Sequence, residues 1–561
     1  MDNYQIADSF SLLSKLMEIH GENSFKAKSY AAAAFSIEKI QLPLAEIPAD
    51  KIAGIKGIGA SAAQKILEIL DTGKLSVLDE IISKTPNGII EMLSIKGIGP
   101  KKINTIWKEM EIESVGELLY ACKENRLKLY KGFGEKTQQN VIDAINFYFN
   151  NKGFFLFAQA APIADELLIF LQQCFPEQTI EITGAIKRQL EIIEHFDFII
   201  NQHSTAVIDA LSTIEALSII SQTDEMVVLS TALQIQIRLF TFKDQFRLNA
   251  IRLSSDQEFW NSIAPSLQLD LPSETDELSF FEQHDFSPIP AYLREQITVI
   301  EKARNKALPN VLQPNDIKGI IHCHTHWSDG AQSVEEMAQA AIEMGLEYIV
   351  ISDHSRSAFY AQGLSIERVL AQHELIDELN EKLFPFRIFK SIECDILNDG
   401  ALDYPDDILK RFDLVIASIH SNLKMNEEKA MTRLINAIEN PYTAILGHMT
   451  GRLLLSRPGY PVDHKKIIDA CAENHVVIEL NAHPSRLDID WRHINYAIEK
   501  NVLISINPDS HQTEGFKDMQ YGVYVAQKAG VTKEQNLSSF DLTQFEEFVI
   551  NNRFNKTKTT L

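Results

Sequence analysis

The run Ile321 to Gly330, IHCHTHWSDG, sets His322 and His324 two residues apart, a spacing that turns both imidazoles to one face of a strand and toward a single metal ion. Five more clusters follow in order: SDHS (Ser352–Ser355), IECDI (Ile392–Ile396), SIHS (Ser418–Ser421), GHMTGR (Gly447–Arg452) and NPDSH (Asn507–His511). Each places His, Asp or Glu beside small residues, and most follow a short β-branched run that reads as a strand. One His-x-His pair is weak evidence for a ligand site. Six spaced clusters along a repeating strand–helix pattern point to a polynuclear metal site.

The elements that must carry these clusters lie between them. Short apolar runs, YIVIS (Tyr348–Ser352), LVIAS (Leu414–Ser418), VVIEL (Val476–Leu480) and VLISI (Val502–Ile506), alternate with helical stretches from Ile320 onward. That alternation predicts parallel strands in a barrel-like α/β fold, whose strand ends can bring ligands to one mouth.

At 561 residues the chain is too long for one core and is expected to form several domains. Its 45% hydrophobic and 23% charged residues are ordinary for a soluble globular protein. No apolar run is long enough to span a membrane, and MDNYQIADSF has neither the basic segment nor the apolar core of a secretion signal; a cytoplasmic location is expected. The five cysteines (Cys122, Cys174, Cys323, Cys394, Cys471) follow no CxxC spacing, which argues against a disulfide framework or a thiolate zinc site. The formal net charge of −24 argues against nucleic acid at first sight. Residues 1–150, however, hold nearly as many Lys and Arg as Asp and Glu, and acidic metal ligands are partly neutralised once metal is bound.

The front third repeats one pattern three times: IKGIGASAAQKI (Ile55–Ile66), IKGIGPKKINTI (Ile95–Ile106) and YKGFGEKTQQNV (Tyr130–Val141). The paired glycines, Gly57 and Gly59, Gly97 and Gly99, Gly132 and Gly134, permit a tight turn with positive φ before a helix. The helix N-terminus then offers unpaired N–H groups, which suit a phosphate and read no base. These segments resemble the helix-hairpin-helix motif of DNA-repair proteins and polymerases, so DNA is the expected partner. The first is similar to the lyase domain of family X polymerases, and Lys65 falls on that family's Schiff-base lysine. The stretch SYAAAAF (Ser29–Phe35) carries alanines where the family often has arginines, and a lysine on an amphipathic helix also reads as a solvated side chain.

In the middle, GAIKRQLEIIEHFDFII (Gly184–Ile200) resembles the nucleotidyltransferase palm of family X polymerases. Gly184, Lys187, Arg188 and Glu191 match, but Ala185 replaces a serine and the expected Asp-x-Asp has become His195-Phe196-Asp197. In LQIQIRLF (Leu233–Phe240), Gln236 stands where the third carboxylate should be. Two-metal phosphoryl transfer needs several anionic oxygens, so this resemblance implies a degenerate palm with DNA synthesis weak or lost. IPAYLRE (Ile289–Glu295) and LPNVLQPNDIKG (Leu308–Gly319) resemble the thumb end and linker of bacterial family X enzymes.

From Gly319 to Gln527 the chain resembles the PHP (polymerase and histidinol phosphatase) domain, a distorted seven-stranded barrel with a trinuclear site. The resemblance extends through GALDYPDDIL (Gly400–Leu409), GRLLLSRPGYPVD (Gly451–Asp463) and ELNAHPSRLD (Glu479–Asp488). It implies that His322, His324, Glu393 and Asp509 hold one metal, Asp329, His354 and His511 a second, and His420 and His448 a third, with Glu393 bridging. The mixture of imidazole and carboxylate suits Mn²⁺, Zn²⁺ or Fe²⁺ better than Mg²⁺. Ile320 departs from the family, which commonly has an Asp before the first His to orient it. Glu393 and Asp509 are the candidate catalytic carboxylates, and Arg452 and Arg486 the candidate phosphate clamps.

The order of parts is similar to bacterial family X DNA polymerases across almost the whole chain. It implies a lyase-like hairpin domain (1–82), a fingers-like hairpin domain (83–150), a degenerate palm (151–240), a thumb-like region and linker (241–314) and a PHP phosphoesterase domain (315–561). The fold class expected is multidomain α/β, with all-α front domains, an α+β palm and thumb, and the PHP barrel behind. The function implied is metal-dependent 3′–5′ exonuclease or DNA-end processing in repair, on gapped, nicked or 3′-ended DNA. A small-molecule phosphatase of the histidinol-phosphatase type and a non-catalytic DNA-binding scaffold are the alternatives. The hairpins count against the first and the complete ligand set against the second.

Overall fold

The computed structural model describes residues 3–37, 40, 42–150, 153–215, 217–231, 235–267 and 276–558. Leu233 and Gln234, at the head of the strand bearing Gln236, and residues 268–275 of the thumb-like region lie outside these. The chain divides into two compact units, Met1–Lys123 with Leu127–Tyr148, and Glu124–Arg126 with Phe149–Leu561.

The described part of the first unit is helical. In each glycine repeat the first glycine adopts almost the same left-handed backbone, with φ of +92° at Gly57, +93° at Gly97 and +94° at Gly132. A side chain rarely tolerates that conformation, which accounts for glycine at all three turns. Gly59 and Gly99 are extended and cap the helices Ala60–Thr72 and Pro100–Lys108; the third turn leads into Glu135–Asn150. Ala62, Ala63, Ile66 and Ile69 bury one face of the first of these helices, at the spacing of an amphipathic stripe.

The second unit contains two sheets that matter here. A five-stranded sheet runs in the order Ile180–Ile182, Phe196–Ile200, Gln236–Thr241, Met226–Thr231, Leu217–Gln222. Phe196–Ile200 is parallel to Gln236–Thr241 and sets Asp197 directly beside Arg238. The seven-stranded sheet is entirely parallel and follows chain order: Gly319–Cys323, Tyr348–Ile351, Arg387–Asp395, Leu414–Ser418, Thr443–Leu446, Val477–Asn481, Ile504–Asn507. A bridge between Cys323 and Ser510 joins its two edges, so it forms the nearly closed barrel expected from the alternating pattern. Most of these strands are buried along their whole length, which is why they read as unbroken apolar runs. The C-terminal helix Leu542–Lys558 closes one end, with Phe545 stacked on Tyr348. Ligands gather at the other.

Candidate metal centre

Each ligand-bearing cluster sits at or just beyond the C-terminal end of a barrel strand, so the chain passes the mouth once per strand. His322 and His324 do not alternate along a regular strand as their spacing predicts. The register slips between Ile321 and Cys323, His322 has φ +66°, and His324 lies past the strand end. A bulge of this kind re-aims a side chain at a barrel rim. Both imidazoles still reach one oxygen: Nε2 of His322 and of His324 lie 3.4 and 3.2 Å from Oδ1 of Asp509.

Glu393 is the centre of the cluster. Its Oε1 lies 3.0 Å from Nε2 of His448, 3.1 Å from Nε2 of His420 and 3.3 Å from Nε2 of His322. Its Oε2 lies 2.9 Å from Nδ1 of His354 and 3.7 Å from Nε2 of His324. Asp329 spans the other side, 3.4 Å from His511 and 3.6 Å from His354. Four sets of donors converge closely enough to hold an ion: His324, Asp329, His354 and His511; His322, His324 and Asp509; His354, Glu393 and His420; and Glu124, Asp509 and His511, of which Glu124 was not among the residues named from the sequence. The first set contains the trio Asp329, His354 and His511 that the resemblance assigns to one ion, the second holds three of the four residues it assigns to another, and His324 and His354 each fall in two sets.

The electrostatics favour positive charge at the cluster. Burial raises the cost of ionising Glu393, yet the surrounding histidines, His420 foremost, hold its carboxyl well below the usual range. Burial disfavours charge on His420, but Glu393 and Asp395 outweigh it and lift its pKa to about 10. His511 is likewise lifted to about 10 against burial, by Asp329. Without metal, protons supply the positive charge that these buried carboxylates need. Nε2 of His322, Nδ1 of His324, both oxygens of Asp329, Oε2 of Glu393 and Nε2 of His511 are buried with no hydrogen-bond partner. Buried polar atoms are rarely left unpaired, and a set aimed at a common space fits divalent metal.

Outside the ligands lies a ring whose roles the residue pattern did not reveal. Glu479 accepts the Nδ1–H of His322 at 2.6 Å and the backbone N–H of His448 at 3.0 Å, and also accepts from Asn481 and Asn507. It therefore performs the orienting task for which the family commonly uses an Asp at position 320, and Ile320 is free to join the apolar core. Asp395 holds Nδ1 of His420 at 2.5 Å. Asp353 accepts from the backbone N–H groups of Thr325 and Ser328 and so fixes the loop that carries Asp329. Glu479→Gln is expected to lower metal affinity about 10- to 100-fold with the fold intact, since such partners set ligand orientation and basicity. Isothermal titration of the metal-stripped chain measures this, and unchanged affinity would remove Glu479 from that role.

Arg452 differs from its expected role as a phosphate clamp. Its Nη1 donates to Asp490 at 2.6 Å, its Nε to the carbonyl of Arg486 at 3.0 Å and its Nη2 to the carbonyl of Leu487. Those bonds brace the turn from 486 to 490 and leave the guanidinium committed. The turn presents Arg486, whose Nε lies 3.7 Å from Oδ2 of Asp509. Lys65 forms a 2.5 Å ion pair with Glu68 on its own helix, and Lys65 foremost holds the Glu68 carboxyl down to about 2. The amine is thus engaged by a carboxylate on its own helix.

In the five-stranded sheet, both oxygens of Asp197 accept from Arg238, from Nε and Nη2 at 2.6 Å each. Gly184 explains itself: with φ +64°, a Cβ there would strike the Asp197 carboxylate. His195 has a buried Nδ1 without a partner, and Gln236 is exposed. Lys187 pairs with Glu181 and Glu277, Arg188 with Glu295, and Glu191 with the fully buried Lys528.

Parallel strands that close on six histidines and three carboxylates, in a chain with tandem glycine hairpins, define a PHP-domain protein bearing helix-hairpin-helix modules. The matching family models are the PHP domain over residues 321–483, the helix-hairpin-helix domain over 1–75, and the SAM-like helix-hairpin-helix tandem over 89–146. Over 558 residues, 96% of its length, the chain is 31% identical to the DNA polymerase/3′-5′ exonuclease PolX of Bacillus subtilis (strain 168), of which it covers 97%. It belongs to the PolX family. The chain is also 29% identical over 245 residues to a probable phosphatase of Thermoanaerobacter sp. (strain X514), 41% of this chain and 92% of that relative. A probable phosphatase of Acetivibrio thermocellus is 35% identical over 177 residues, 30% of this chain and 67% of the relative. No described helix is long and apolar enough to cross a membrane.

Proposed function

We propose that this chain is a DNA-repair phosphodiesterase that removes nucleotides from 3′ ends at the mouth of its PHP barrel. The observation that carries this reading is the position of Glu393, whose two oxygens face five histidines. The nine residues named from the sequence would hold three divalent ions, with Mn²⁺, Zn²⁺ or Fe²⁺ the fitting choices for imidazole-rich donors. Such ions activate water and neutralise charge on the phosphoryl oxygens when bound.

The protein's own residues supply the rest. Asp509 and Glu393 keep the ligands gathered, Glu479 and Asp395 fix two imidazole rings, and Arg486 stands beside Asp509 to receive a phosphate oxygen. Water adds to phosphorus, the bond to the 3′-oxygen breaks, and that oxygen leaves with a proton. The hairpins at Gly57, Gly97 and Gly132 grip gapped, nicked or 3′-ended DNA through phosphates, a function with no use in a small-molecule phosphatase. The palm serves as scaffold. The lack of any CxxC spacing among the five cysteines accords with the cytoplasmic location we assign it.

The relatives named as phosphatases support a second reading, hydrolysis of small phosphomonoesters. Turnover of 3′-ended oligonucleotides and of phosphomonoesters by the same Mn²⁺-loaded chain separates the two. DNA is expected to be preferred by at least about tenfold in kcat/KM, a difference of about 1.4 kcal/mol. Preference for the monoester would overturn the phosphodiesterase reading.

A further inference from the structure

Phe359 is 87% exposed, although burying a phenylalanine is worth about 1.5–3 kcal/mol. It sits in the loop that follows the ligand His354. Ser355 and Leu364 bridge across the base of that loop, and Leu364 N–H donates to the His354 carbonyl at 2.9 Å. The neck is tight: a Cβ on Gly363 would lie 1.8 Å from the Ser355 carbonyl oxygen. The adjacent residue, Tyr360, turns inward, with its ring edge-on to the His354 ring at 6.2 Å. Two neighbouring aromatics thus part company, one against a ligand and one into solvent.

A second loop is fastened to the first. Trp327 lies between the ligands His324 and Asp329, and its ring lies 5.8 Å from the guanidinium carbon of Arg368. Arg368 donates to the carbonyl of Trp327 and, at 2.7 Å, to the carbonyl of Gln362. One guanidinium therefore clamps both aromatic loops at the rim of the ligand cluster. Phe384, also exposed, makes the contrast: it precedes the strand Arg387–Asp395, at the end of the barrel away from the ligands.

We infer that Phe359 is the platform on which the nucleobase of the terminal nucleotide stacks while its phosphodiester enters the barrel mouth. The inference rests on the phosphodiesterase reading above and specifies its substrate class, nucleotides of any base rather than phosphates lacking a planar group. Every base has a π-face, so stacking on an aromatic ring binds strand ends without reading sequence.

The test uses the full-length chain and a single-stranded oligonucleotide ending in 2-aminopurine, whose fluorescence is quenched on stacking. Phe359→Ala is expected to relieve the quenching seen on binding and to raise KM for nucleotide release about tenfold, the lower range for loss of one base–aromatic stack. Phe359→Trp restores both. On an oligonucleotide with an abasic 3′ end, wild type and Phe359→Ala are expected to share one KM, because the platform has nothing to hold. Undiminished quenching and unchanged KM in Phe359→Ala, with the wild type active on DNA, would overturn the inference and leave the phosphodiesterase reading standing. A wild type that releases no nucleotide from DNA overturns both. The side chain is exposed, so its removal takes little from the folded core, and the melting temperature of each variant checks this.

Discussion

Asp509→Asn is expected to abolish metal-dependent nucleotide release from DNA 3′ ends, by about a thousandfold or more, and to leave DNA binding intact. Asp509 has φ +51°, a left-handed backbone that Asn adopts at least as readily as Asp, so the exchange removes charge without straining the chain. The lost charge matters because Oδ1 faces both His322 and His324, and Oδ2 accepts from Asn481 at 3.0 Å. The histidine pair then loses one of its anionic partners, leaving Glu393, and a metal between them would lose a ligand. Burial works against the charge of Asp509, but His322 and His324 hold its carboxyl well below the usual range, so the native residue is ionised at neutral pH. Metal content by mass spectrometry should fall in parallel with activity, while affinity for DNA in a filter-binding assay stays within about twofold. Retained nuclease activity in this variant would refute the assignment of the site.

Gapped DNA with all four deoxynucleotides and Mg²⁺ or Mn²⁺ is expected to yield no template-directed extension, a deficit of at least about three orders of magnitude against an intact palm. The ions of phosphoryl transfer need several anionic oxygens held together. Here one carboxylate remains where three are expected, and Arg238 engages both of its oxygens across the strand pair. Gln236 and His195 contribute no negative oxygen, and Lys187 and Arg188 are committed to ion pairs with glutamates. Robust incorporation in a primer-extension gel would show that the palm is still an engine.

The candidate site was legible in unequal parts. The nine candidate ligands could be named because each lies beside a strand end, and strand ends announce themselves as apolar runs followed by small and polar residues. The hairpins were legible for a harder reason, since φ near +93° excludes every residue but glycine with ease, so backbone geometry wrote itself into the chain three times. Arg452 was misjudged, because an arginine beside a ligand cluster looks the same whether its donors meet phosphate or the carbonyls of Arg486 and Leu487. Lys65 posed the same difficulty, and its partner Glu68 was only three residues away.

Residue type and local spacing thus determined the donors, the parallel barrel that carries them and the loss of carboxylates from the palm, because those properties depend on near neighbours and on periodicity. Tertiary structure alone decided how the donors are shared. Glu479 reaches His322 from 157 residues away, Asp197 meets Arg238 across 41, and Glu393 gathers histidines from four different strand ends. Such pairings exist only once the sheet has curled far enough to join Cys323 to Ser510, since closure of the barrel is what brings distant strand ends within ligand distance.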